Sequence, residues 1–191
     1  MAKKPRRCKV CAEYFWPAYN ATQKVCSLGC AVKDARAKAE ADRAKRQRKL
    51  KREGRETLKT RSDWHREAHK EVHRFIRLRD HADPCISCGR YHEGQWHAGH
   101  YISVAACKGT ALRYCEDNIH KQCQPCNEHL SGNIVEYRKG LERKIGPERL
   151  AWLEGPHDMV KVTVDEIKAV KAEYLAKANE LQKAIDSAAC T

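Results

Sequence analysis

The chain has 191 residues, room for one medium domain or two small ones, and with 33% charged against 41% hydrophobic residues it is too polar for one large packed core. No apolar run approaches the roughly 20 residues that cross a bilayer, and the basic N-terminus (MAKKPRRCKV) has no apolar segment behind it. A membrane span and a secretory leader are therefore not expected, and a reducing cytosol is. There, eleven cysteines predict thiolate–metal ligation rather than disulfides, and a net charge of +13 predicts a polyanionic partner, nucleic acid first.

Residues 1–30 hold Cys8-x-x-Cys11, fourteen intervening residues and Cys26-x-x-x-Cys30. Four thiolates complete a tetrahedral shell, so the spacing predicts a small structural zinc knuckle. Tyr14, Phe15, Trp16 and Tyr19 between the pairs are expected to form its mini-core, with base stacking as the alternative use.

Residues 31–61 carry thirteen Lys/Arg against five Asp/Glu, a local charge of +8, and almost no large apolar side chain. Ala, Lys, Arg and Glu favour helix, so a long exposed helix is expected, fraying near Gly54. Its cations (Arg43, Lys45, Arg46, Arg48, Lys49, Lys51 and Arg52) are placed to meet phosphates, which is compatible with a linker role.

Ser62 reads as an N-cap with Asp63 behind it. Trp64, Ala68, Val72, Phe75, Ile76 and Arg79 then follow helical spacing up to a stop near Pro84. His65, His69 and His73 recur every four residues on one face. Such a row could bind metal, but with no cysteine or carboxylate focus it reads as a surface stripe, facing solvent or phosphate.

Residues 62–145 should form the chemical core. Cys85-x-x-Cys88 and Cys123-x-x-Cys126, 34 residues apart, predict a second structural zinc site with no open position. The segment "ALRY" (111–114) reads as a strand, and Cys107 and Cys115 as small buried residues. In the helical region 146–191, a short helix is expected over Pro147–Glu154, closed by Gly155-Pro156. A capping box, Thr163-x-x-Glu166, opens the last helix. Its stripe (Ile167, Val170, Tyr174, Ala178, Leu181, Ile185) suits core packing first and a partner helix second.

The strings "CISCGR", "AGHYIS", "LRYCEDNIHKQCQPCN" and "LSGN" resemble the NinG/Rap family of lambdoid phage recombination proteins. Their order is similar to the ββα-metal (HNH) core of phage endonuclease VII. The resemblance implies an α+β, zinc-stabilised HNH nuclease core. It implies metal-dependent cleavage of branched DNA, such as Holliday junctions and D-loops, in the cytoplasm of the infected host. Other phage or host recombination proteins are possible partners, and a homodimer is expected because two nicks resolve a junction.

Phosphodiester hydrolysis needs a base for water and a cation for the phosphate. By resemblance His100 is the general base, Asn118 orients its ring through amide or backbone carbonyl, and Asn127 is a ligand of catalytic Mg²⁺ or Mn²⁺. A helix starting near Cys123 would place Asn127 one turn on, facing inward, and His129 outward, where phosphate contact is its candidate role. The family's commoner pattern has an acid or His where this chain has Gly99. His97 is then the candidate second ligand, provided that Ala98-Gly99 bulges, because residues three apart on an unbroken strand face opposite ways. Asp117 and Glu116 are weaker candidates, and Asn133 is a candidate substrate contact. Two rival readings are a non-catalytic zinc-dependent nucleic-acid-binding protein and a sequence-specific HNH nuclease.

Overall fold

A computed structural model describes residues 4–18, 20 and 22–189, in one unit that ends at Lys59 and another that starts at Thr60. In the first unit, β1 (Arg6–Arg7) pairs antiparallel with β2 (Tyr14–Phe15), Arg6 opposite Phe15. Ser27 caps α1 (Leu28–Thr57), its hydroxyl accepting the Cys30 N–H. No residue of α1 is buried, and the helix runs through Gly54 without fraying there. Of the expected aromatic mini-core only Phe15 is half-buried among the described residues. Tyr14 and Trp16 are 76% and 66% exposed, while Cys8 and Pro17 are buried. A two-residue hairpin has no second layer to cover a ring, and what gathers at its centre is the set of four cysteines. Tyr19 lies outside the described residues.

In the second unit, α2 (Arg61–Arg79) starts at Thr60 rather than at Ser62. The Thr60 hydroxyl accepts the Asp63 N–H, and the Asp63 carboxylate accepts from the Thr60 N–H and hydroxyl. Asp63 sits at the third helical position, where a side chain reaches back only to the cap. The buried face of α2, Ala68, Val72 and Ile76, packs toward the core, where Val72 and Ile76 join Ala98, Ile119 and Tyr174.

Helix α5 (Val164–Ala189) lies along α2. Its expected capping box is present, with Glu166 accepting from the Thr163 N–H and hydroxyl. Ile167, Tyr174 and Ala178 are buried, as core packing requires. Phe75 meets Tyr174 edge-on, and Lys171 pairs with Glu67 at 2.6 Å.

The central hairpin pairs β3 (Trp96–His100) with β4 (Ile119–Cys123), Trp96 opposite Cys123 and His100 opposite Ile119. "ALRY" is not a strand but a 3-10 turn, Ala111–Tyr114. The Thr110 hydroxyl accepts the Leu112 N–H and the Asn118 amide takes the Leu112 carbonyl, so the groups a ladder needs are already used. After β4, a π-helical turn (Pro125–His129) leads to α3 (Ile134–Ile145) and α4 (Pro147–Glu154). Tyr137, Leu141, Leu150 and Leu153 from these two helices join Cys107 and Leu112 in the second apolar cluster. Among the described residues no helix is long and apolar enough to cross a membrane.

Two contacts lock these parts together. Burial alone would raise the Asp80 carboxyl, but Arg79 and Lys144 hold it well below the usual range, and it also accepts the Lys121 N–H. One buried carboxylate thus joins the end of α2 to β4 and α3. Gly140 lets α3 touch the loop at Ile86, where an added Cβ would lie 1.9 Å from the Ile86 carbonyl oxygen.

A backbone oxygen cannot retreat as a side chain can, so Gly140→Ala should cost about 1–3 kcal/mol. Denaturant unfolding checks this, and an unchanged midpoint would mean that α3 does not rest on that carbonyl.

Candidate metal centres

The two cysteine clusters assemble. The sulfurs of Cys8, Cys11, Cys26 and Cys30 lie within 4.8 Å of one another, and so do those of Cys85, Cys88, Cys123 and Cys126. Tetrahedral zinc with Zn–S near 2.3 Å sets sulfurs about 3.8 Å apart, so both all-thiolate sets fit structural zinc. Backbone N–H groups support the thiolates: Cys26 donates to Cys8 and Cys123 to Cys85, each at 3.4 Å. The N–H of Cys11 leads in pulling the Cys8 thiol down to about 6. At the second cluster the Asn133 amide donates to Cys126 Sγ at 3.5 Å. The "LSGN" asparagine therefore supports a zinc ligand.

This second cluster clamps the open end of the hairpin, and the hairpin's register distributes the remaining candidates. The ladder runs unbroken through Ala98 and Gly99, so the bulge that was to bring His97 round to His100 does not form. His97 and Gly99 share one face, Ala98 and His100 the other.

On the first face, His97 Nδ1 lies 2.9 Å from the Asn127 amide nitrogen and 3.5 Å from the Glu128 carboxylate. The pairing was expected, but not the route to it. No helix starts at Cys123; β4 runs through it, and the π-helical turn delivers Asn127. Gly99 serves by leaving space. A Cβ there would lie 2.1 Å from Gln122 Oε1 and 3.1 Å from Asn127 Oδ1.

Gln122 donates from Nε2 to Ser87 Oγ and the Gly132 carbonyl, which leaves its buried Oε1 without a protein partner. Two amide oxygens thus approach the space over Gly99, neutral donors that a hard cation such as Mg²⁺ takes only together with water, carboxylate or phosphate oxygens. Asn127 and Gln122, beside His97, are the residues that would hold one. Gln122 was missed in the sequence because its place opposite His97 appears only once the second strand is located at 119–123. Asp117 is engaged by Arg149, and Glu116 by Tyr174 and Lys177.

Asn118 does not touch His100 by either group proposed for it. Its Oδ1 accepts the Ile102 N–H at 2.7 Å, and Nδ2 donates to the Ile102 and Leu112 carbonyls and to Cys107 Sγ. Its backbone carbonyl accepts the Tyr101 N–H. Asn118 instead anchors the loop that leads into Arg113, and it is the Arg113 carbonyl that faces the His100 ring.

On the second face, His100 meets α2. The histidine row is not a surface stripe: His65 bonds the Tyr114 hydroxyl, while His69 and His73 turn inward to His100. The three ring centroids lie 5.3, 5.3 and 5.6 Å apart. Burial, the leading cause in each, pulls His69 down to about 3 and His73 and His100 to about 4. All three rings are therefore neutral near pH 7. The basic residues Arg43, Lys45, Arg46, Arg48, Lys49, Lys51 and Arg52 stand exposed on α1, and His129 is exposed on the π-helical turn.

A small α+β protein with two tetracysteine clusters, one of them closing a two-stranded hairpin, is the class this geometry defines. The chain belongs to the NinG family: the family model described as Bacteriophage Lambda NinG protein matches residues 1–184. The chain is 42% identical to protein ninG of Escherichia phage lambda over 99% of its own length and all of that protein. It is also 42% identical to protein ninG of Salmonella phage P22, and 40% identical to that of Escherichia phage 933W, over the same shares. No solved structure matches it.

On the Gly99 face, directly opposite that glycine on β4, burial first and then Arg79 and Lys144 pull His120 down to about 3. Between pH 6.5 and 3 the unfolded chain takes up a proton there that the folded chain refuses, so stability falls as pH drops through that window and is unaffected above it. His120→Gln should shrink the loss in denaturant midpoint between pH 7 and pH 5.5. An unchanged loss would show that His120 is protonated in the folded chain.

Proposed function

We propose that the chain is a metal-dependent endonuclease that cuts branched DNA, with its centre at Gly99–His100 on β3. One observation carries this reading: the two things phosphodiester hydrolysis needs stand at successive positions of a single strand, on its opposite faces, so the phosphate to be cut must lie across the strand where both reach it. Over Gly99 lie the oxygens of Asn127 and Gln122, suited to Mg²⁺ or Mn²⁺. At His100 stands a neutral imidazole whose Nε2 has no protein partner, able to activate water. The motif string that resembles the HNH nucleases falls on these same residues.

The exposed cations of α1 and the net charge of +13 supply phosphate contacts without base reading. The reading takes four-way junctions and D-loops as substrates, in the cytoplasm of an infected host, beside phage or host recombination proteins. Two copies acting together follow from the need for two nicks. A second reading, zinc-dependent DNA binding without cleavage, is favoured by the placement of the basic helix in a unit that holds none of the β3 residues.

His100→Ala tests the two readings on a synthetic four-way junction with Mg²⁺ or Mn²⁺. Nicking should fall by about a hundredfold or more while binding is retained. Nicking equal to that of the unaltered chain would remove His100 from the chemistry.

A further inference from the structure

The oxygen cradle over Gly99 does not explain the opposite face of β3. There His69 Nδ1, His73 Nε2 and His100 Nε2 are all buried without a hydrogen-bond partner. Native interiors hold few such atoms and give most of them a partner. Here three of the four that the described residues show fall in one cluster, and their ligand atoms lie within 4.8 Å of one another. Edge-on ring packing does not account for this, since it leaves all three nitrogens unpaired.

We infer that His69, His73 and His100 form a third metal site, built for a first-row transition ion of the Zn²⁺ class. His69 and His73, four residues apart on α2, share one helix face, and β3 supplies the third ligand from across the core. Imidazole nitrogens alone, with no oxygen donor, select Zn²⁺, Co²⁺, Ni²⁺ or Cu²⁺ over Mg²⁺ and Ca²⁺. Zn–N bonds near 2.0–2.1 Å need nitrogens about 3.4 Å apart, which a small closing of the rings provides. The Arg113 carbonyl facing His100 is the kind of outer partner that orients a metal-bound imidazole.

Three protein ligands also differ in kind from the two cysteine sets, because they leave one tetrahedral position open. Binding requires one exchange. Arg113 Nε now donates to His69 Nε2, so the ring proton sits on Nδ1. An ion on Nδ1 moves that proton to Nε2 and releases the Arg113 side chain, which is therefore not a ligand.

The test is a Co²⁺ titration of the full-length chain with zinc already in its cysteine sites. One equivalent should bind with visible d–d bands and no thiolate-to-cobalt charge-transfer band. His73→Gln should abolish those bands or weaken binding at least tenfold, and Arg113→Ala should keep them. Absent bands, or bands that survive His73→Gln, overturn the site. A fold-independent check uses the unaltered chain: Zn²⁺ should shift the imidazole nitrogen resonances of His69, His73 and His100 together, and unmoved resonances at several equivalents also overturn it. An ion on His100 Nε2 takes the lone pair that the cleavage reading gives to water, so the two uses of that nitrogen are alternative states of one residue. Neither readout involves cleavage, so a chain that never nicks DNA leaves this site standing.

Discussion

Four sulfurs at the end of a five-residue hairpin are the constraint on which the rest of the second unit depends. Two strands of that length have little stability alone, and their register decides which side chains face which way. Slippage by one residue would exchange the two faces completely. Cys85 and Cys88 hold the loop that α3 rests on through Gly140, and Cys123 and Cys126 hold the last residue of β4 and the turn after it. Zinc on these four thiolates would fix the register, and the register sorts the chemistry. Asp80 supports the same arrangement from behind with charge rather than metal.

The outcome is a strand with chemically different sides. Gly99 looks toward amide oxygens, and His100 toward imidazole nitrogens. Hard and borderline cations prefer these two donor types respectively, so any ion held on one face would differ in kind from one held on the other. The glycine is part of that separation. Any side chain at position 99 would occupy the space in which Gln122 and Asn127 meet, which is why an acid or histidine there would define a different site.

What could be read in the sequence was whatever is encoded locally. The two cysteine sets, the Thr163–Glu166 capping box, the buried stripes of α2 and α5 and the short helix at Pro147 all rest on spacings within one element or on repeated ligand pairs. What could not be read depends on contacts across the chain. His69 and His73 looked like surface residues because their third neighbour comes from β3, and no pattern within α2 points to it. "ALRY" has strand composition, but Thr110 and Asn118 take its hydrogen bonds. Asn118 and His100 were linked by resemblance, yet the Asn118 side chain binds Ile102, Leu112 and Cys107, and it is the Arg113 carbonyl that faces His100. Tyr14 and Trp16 were expected inside because so small a knuckle has little else to bury, yet both stand exposed beside the four cysteines.

The central claim is that this family member cuts DNA at the hairpin, and the most direct measurement maps the ends it leaves. The purified chain, loaded with zinc and given a labelled four-way junction with Mg²⁺ or Mn²⁺, should produce nicks bearing 5′-phosphate and 3′-hydroxyl ends, paired across the junction. Tight junction binding with every strand intact, whichever divalent ion is supplied, would contradict the claim and leave a zinc-built DNA-binding protein.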